Sequence, residues 1–164
     1  MFCLRILKNM ISSQKIKTQF FFQKKVTLND RKRLKAFVSD IFVKTGGKTE
    51  GELRVIFCSD EELLQINRNF LKHDYYTDII TFPFTKPDDI HIDAELYISI
   101  DRVKENAVSF ESSFTHGLHR VIFHGVLHLC GLNDKTRNEI QAMRESEDKL
   151  LKQYFNVSRE TFSP

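Results

Sequence analysis

At 164 residues the chain suits one folding unit over 1–164, since a polypeptide of this size buries about two-thirds of the surface its unfolded form exposes. A hydrophobic fraction of 41%, 15 Phe and a formal net charge of only +3 disfavour intrinsic disorder, a disulfide-dependent mini-fold and a protein defined by its basicity. The three cysteines, Cys3, Cys58 and Cys130, form neither an even set nor a CxxC pair, and no apolar run approaches the length of a membrane span, so a reducing, cytoplasmic setting without export or anchoring is expected.

In chain order, Met10 offers a second start, so residues 1–9 are expected to be a disordered extension or to precede the true start. Residues 16–26, with Phe20-Phe21-Phe22, read as a strand, and Thr27 or Asn29 then caps a helix to about Lys44 that Gly46-Gly47 stops. Leu53, Val55 and Phe57 alternate as a second strand to Cys58. Ser59 followed by Asp60-Glu61-Glu62 opens a helix to about Leu71. Residues 79–84 and 94–100 are read as strands three and four. Three helical stretches follow, to about Val108, from Phe114 to Cys130, and from Thr136 to Phe155. The acidic run from Glu139 to Asp148 reads as a solvated face. The fold class is therefore α+β (mixed α/β): a single four-stranded sheet packed with four or five helices.

The segment His124-Gly125-Val126-Leu127-His128 sets two imidazoles one helical turn apart, on the same face. Gly131 can take positive φ, end the helix and turn the chain so that Asp134 becomes a third ligand. The bland alternative is a pair of hydrogen-bonded histidines with Asp134 capping the next helix. Three ligands leave a coordination position for water, the arrangement of a catalytic ion. Zinc fits best, while the carboxylate oxygen also suits manganese or iron. A zincin-like metalloprotease would carry its general-base Glu directly after the first His, where this chain has Gly125. Cys130, about 200° around the helix from His128, is expected to face away from the ion. His73, His91, His116 and His119 are expected to face solvent or bond locally.

These residues resemble the YbeY family of bacterial rRNA-maturation endoribonucleases, whose hallmark His-Gly-x-Leu-His-Leu-x-Gly-x-Asp-His is matched from His124 to Asp134. An upstream block is echoed by Ile66-Asn67-Arg68-Asn69-Phe70-Leu71 and by Asp74 to Phe82, and Glu95 to Ser99 resembles the strand that follows. Three departures stand out: the family's third metal-binding His falls on Asp134, its Arg after the aromatic falls on Leu71, and its Pro before Thr-Asp falls on Tyr76. The resemblance implies a zincin-like metal helix and a single-strand-specific, metal-dependent endoribonuclease that uses a metal-activated water. Its implied role is small-subunit (16S) rRNA 3′-end maturation and ribosome quality control, with rRNA and the small subunit or its proteins as partners, and neither DNA nor membrane.

With Leu71 in place of the Arg, Lys72, Arg68 or Arg120 are the candidate phosphate contacts, Arg120 being equally suited to pairing with a nearby acid. Tyr75, Tyr76 and Phe84 are candidates for base stacking or for packing. The competing classes are a non-catalytic, metal-stabilised ribosome-assembly factor and an iron oxygenase using the same two-His, one-carboxylate set.

Overall fold

A computed structural model describes residues 15–160, with side chains from 16 to 156, so the expectation for residues 1–9 lies outside the described residues. Strands β1 (Lys15–Phe22), β2 (Glu50–Cys58), β3 (Ile79–Pro83) and β4 (His91–Ser99) form one sheet in the order β1-β2-β4-β3. The first two pairings are parallel, and β3 runs antiparallel to β4. Five α-helices are described: α1 (Arg31–Gly46), α2 (Asp60–Ile66), α3 (Ile100–Ser109), α4 (Phe114–Leu129) and α5 (Arg137–Glu160). The mixed sheet and five helices make this the expected α+β fold. None of the described helices is long and apolar enough to cross a membrane.

The register shows why the alternating apolar residues matter. Leu53 lies opposite Ala94, Val55 opposite Leu96 and Phe57 opposite Ile98, so the period-2 pattern of the two central strands builds one continuous apolar face. Helix α4 packs on that face and also touches α1, α3 and α5, which makes it the hub of the core. On the other face, Cys58, Leu63 and Ile80 form a small second cluster under α2.

Several boundaries differ from expectation for local reasons. β1 stops at Phe22, not Val26, because its parallel partner runs out, and Lys24 turns away to pair with Asp101. α1 begins at Arg31, because Leu28 is buried and Asp30, not Thr27 or Asn29, takes the cap position with a left-handed φ of 49°. The second helix does reach Leu71, but its last turn, Asn67–Leu71, is π-helical. There the Asn67 carbonyl accepts from both Lys72 and His73.

At Gly125 helix α4 passes close to the sheet. A Cβ there would meet Ile79 Cδ1 at 2.7 Å and Leu96 Cδ2 at 2.8 Å. Helix propensity alone makes Gly125→Ala stabilising by about 1 kcal/mol, whereas overpacking costs about 1–3 kcal/mol. We expect the clash to win, with a net loss of about 1 kcal/mol in denaturant unfolding; a variant as stable as the parent would show that the helix-to-sheet spacing has slack.

Candidate metal centre

Helix α4 starts at Ser113, whose hydroxyl accepts from the His116 N–H, and ends in a paired-bond stop. Leu132 N–H reaches back to Leu127 O at 3.1 Å and Gly131 N–H to His128 O at 2.9 Å, with Gly131 at φ 97°. This is a Schellman motif, which needs a residue tolerant of positive φ at the position Gly131 occupies. The turn has two consequences. It delivers Leu132 O to His128 Nδ1 at 2.9 Å, and it swings Asp134 back over the helix end.

The two imidazoles project from one face of α4, and their Nε2 atoms stand 3.0 Å apart. Asp134 Oδ2 lies 3.5 Å from His128 Nε2 and 3.7 Å from His124 Nε2. These are the three residues among those described whose donor atoms cluster closely enough to share an ion. The outer nitrogens settle the protonation. Leu132 O can only accept, and the Glu147 carboxylate accepts at 2.7 Å from His124, so each Nδ1 carries a proton. In neutral rings both Nε2 atoms then present lone pairs to each other beside a carboxylate oxygen. Such an arrangement is repulsive unless a proton or a metal cation sits between them. A tetrahedral ion with bonds of about 2.0–2.1 Å sets its ligands about 3.3 Å apart, which the observed separations bracket. The donor set therefore fits a divalent metal.

Glu147 is the residue that sequence reading missed. Its side chain is only 7% exposed, so this part of the acidic run is not a solvated face. Oε1 takes the His124 proton and Oε2 takes a bond from Arg120 Nη1 at 2.8 Å. Burial pushes the Glu147 carboxyl up, but its bonds to His124 and Arg120 outweigh that and hold it below the usual range. Burial likewise pushes His124 down, yet the Glu147 bond and charge, with Asp134 and Asp78, hold its pKa above the ordinary histidine value. Surroundings that favour a proton on this ring favour a metal cation at the same place. A carboxylate behind a ligating imidazole fixes its tautomer and raises its basicity.

The triad opens into a cleft of about 810 Å³ walled by Asn67, Leu71, His73, Tyr75, Asp78, Lys86 and Lys135, among others. None of the three cations nominated from sequence lines it. Arg120 is held by Glu147 and Asp148, Arg68 pairs with Asp74, and Lys72 bonds Asn69 O. Leu71 does face the cleft, so the position where the resemblance places an Arg is oriented as a contact would be, with an apolar side chain. The cations on the wall are Lys86 and Lys135. The loop carrying Lys86 is braced by buried Lys48, whose Nζ donates to Pro87 O and Asp89 O at 2.6 Å each. Asp78, half-buried beside His124, has its pKa raised by burial, which makes it a better proton acceptor than a solvated carboxylate.

Among the described residues, the remaining histidines and cysteines fall outside the triad. His119 is buried and bonds Thr115 O, and His116 stacks on Phe155. Desolvation pushes the Cys58 and Cys130 thiols up to about 12 each.

A family model described as Endoribonuclease YbeY matches residues 14–155. The Endoribonuclease YbeY of Parabacteroides distasonis is 49% identical over 108 residues, covering 66% of this chain and 75% of that protein. The Cytophaga hutchinsonii protein of the same name is 46% identical over 139 residues, covering 84% and 96%. Among solved structures, the solution structure of TM1509 from Thermotoga maritima aligns with a TM-score of 0.56 at 25% identity, covering 90% of this chain and 93% of that one.

Two outcomes are expected from these contacts. Glu147→Gln keeps the volume but removes the charge behind His124, and should weaken divalent-ion binding about 10- to 100-fold in a chelator competition; unchanged affinity would mean that His124 is oriented by other contacts. At pH 8, alkylation of Cys58 and Cys130 should be slow in the native protein and fast after denaturation, read by mass spectrometry of peptides.

Proposed function

The chain belongs to the YbeY endoribonuclease family, and from that membership we propose that it is a single-strand-specific, metal-dependent endoribonuclease. Its proposed role is maturation of the 16S rRNA 3′ end and ribosome quality control in the cytoplasm, in contact with the small ribosomal subunit. We assign the metal to His124, His128 and Asp134, and zinc as the ion. The observation that carries the reading is the convergence of three electron-pair donors at the floor of an open cleft. Two nitrogens and one oxygen at these spacings suit zinc, and the three-ligand set leaves room for water and substrate. A divalent ion held there supplies Lewis acidity toward a phosphodiester and lowers the pKa of water in its coordination sphere.

The protein's own residues do the rest. Glu147 and Leu132 O hold the two imidazoles in the ligating tautomer. Lys86 and Lys135, the cations on the cleft wall, are assigned the phosphate contacts in place of Arg120, Lys72 and Arg68. The whole chain is taken as one catalytic domain, a reading supported by a main core that runs from Ile16 to Tyr154.

Two other readings lose support. A zincin-like protease needs a carboxylate after the first histidine, and at position 125 even a Cβ would meet Ile79 and Leu96 at under 3 Å, which leaves no room for one. A purely structural metal in an assembly factor is normally closed by four protein ligands, and only three converge among the described residues.

The test is elemental analysis of wild-type, His128→Ala and Asp134→Ala protein, with single-stranded RNA cleavage assayed on the same preparations. We expect about one zinc per wild-type chain, its loss in both variants, and cleavage that falls in step. Zinc retained by Asp134→Ala would remove the third ligand from the scheme, and a zinc-loaded wild type that leaves RNA intact would leave the assembly-factor reading standing instead.

A further inference from the structure

The cleft holds a second constructed feature on its wall, a two-ring stack. The His73 and Tyr75 rings lie 5.1 Å apart at 21° to each other, and the Tyr75 hydroxyl sits 3.0 Å from His73 Nδ1. Tyr75 nevertheless remains 57% exposed, so one ring face is backed by His73 while much of the side chain is open. The other exposed aromatics near this end of the molecule are engaged elsewhere. Tyr76 lies under the Arg102 guanidinium, Phe70 packs edge-on against Phe82, and Phe84 lies beside Arg54. Among the described residues, Tyr75 and His73 are the aromatic rings other than the metal-site histidines that line the cleft.

This pair is also held from beneath. Asn67 is 1% exposed, and its side-chain amide donates to Tyr75 O at 2.8 Å while its backbone carbonyl accepts from His73 N–H at 3.2 Å. The π-helical turn places that carbonyl where it serves both Lys72 and His73. A single buried residue thus clamps the backbone at both members of the stack. Rings fixed in this way lose little conformational entropy when a ligand stacks on them.

We infer that the Asn67-clamped Tyr75–His73 stack is a nucleobase platform, on which an unpaired base of the RNA strand stacks while its backbone crosses the metal centre. The inference rests on the nuclease reading for the identity of the ligand. Stacking on a protein ring requires a base with a free face, which a duplex does not offer, so the platform gives the cleft its preference for single strands. Because every base has a π-face, it does so without reading sequence.

The probe is a fluorescein-labelled 2′-O-methyl oligoadenylate octamer, titrated against zinc-loaded full-length protein by fluorescence anisotropy and checked for unchanged length on a gel after each titration. Tyr75→Ala should weaken binding about 5- to 100-fold, and Tyr75→Phe, which keeps the ring and loses the hydroxyl, should stay within about twofold of wild type. An octamer of the same backbone lacking bases should bind wild type and Tyr75→Ala alike. The salt dependence of binding should be unchanged in Tyr75→Ala, since stacking displaces no counterions, whereas Lys86→Ala should lower the slope by about 0.7. Metal content and thermal melting of the Tyr75 variants report whether the fold and the triad are intact.

The platform is overturned if folded, zinc-loaded Tyr75→Ala binds the octamer as wild type does, if the base-free strand shows the same loss, or if wild type does not bind the octamer. The two readings fail separately. Cleavage by wild type with no effect of Tyr75→Ala sinks the platform and leaves the nuclease; base-dependent binding without cleavage of natural RNA sinks the nuclease and leaves the platform.

Discussion

Two imidazole nitrogens facing each other at 3.0 Å, each with its other nitrogen already committed as a donor, constitute the constraint on which this structure turns. In their neutral state such rings repel, and a carboxylate oxygen beside them adds to the negative potential. Folding therefore assembles a charge problem that a bound proton or metal cation would resolve. The binding energy of a metal held there would count toward the stability of the native state, because the unfolded chain has no such assembled site. The centre is for this reason coupled to the core: the helix that carries both histidines is also the one that the sheet and three other helices pack against.

The two glycines of the motif serve this centre through opposite physics. Gly125 has no side chain because there is no space for one, and its absence lets α4 settle against Ile79 and Leu96. Gly131 has open space around it, with nothing within 4 Å of an added Cβ, and is required instead for its backbone angle. One glycine fixes the height of the helix above the sheet, and the other fixes where the chain goes when the helix ends. A carboxylate after the first histidine, as in the proteases with a related motif, is incompatible with the first of these roles, because it would be driven into the apolar core.

What could be read from the sequence was what is local. The histidine spacing, the glycine that ends the helix and the aspartate beyond it lie within eleven residues, and their geometry follows from helical periodicity and one turn type. The alternation of Leu53, Val55 and Phe57 sufficed for the strand facing the core, because a period of two has one meaning on a sheet. Glu147 was not legible. It lies 23 residues from His124 on another helix, within a run of acids whose usual place is solvent, and only the packing of α5 on α4 makes it a partner. The fate of Arg120 was ambiguous for the same reason, since its helix position suited a substrate phosphate and an acid on α5 equally well. The early end of β1 and the left-handed cap at Asp30 depend on where a partner strand stops and on the burial of Leu28, which no short window reveals.

Long-range packing also decides which cations reach the cleft, where Leu71 stands in the place of a guanidinium. An Arg there would present a fixed, bidentate fork to a phosphate, and no Lys reproduces that geometry. Lys86 and Lys135 instead bring point charges on flexible stems from two separate loops, one of them anchored through buried Lys48. Point charges attract a polyanion without fixing its orientation, and they attract duplex and single strand alike. Orientation then has to come from groups with defined geometry. On the proposed reading, those would be the His124–His128–Asp134 cluster, oriented by its outer hydrogen bonds, and the ring stack held by Asn67. With an apolar residue at position 71, the proposed reading puts the burden of alignment on these rigid elements, and a strand would be selected by whether it can engage both at once.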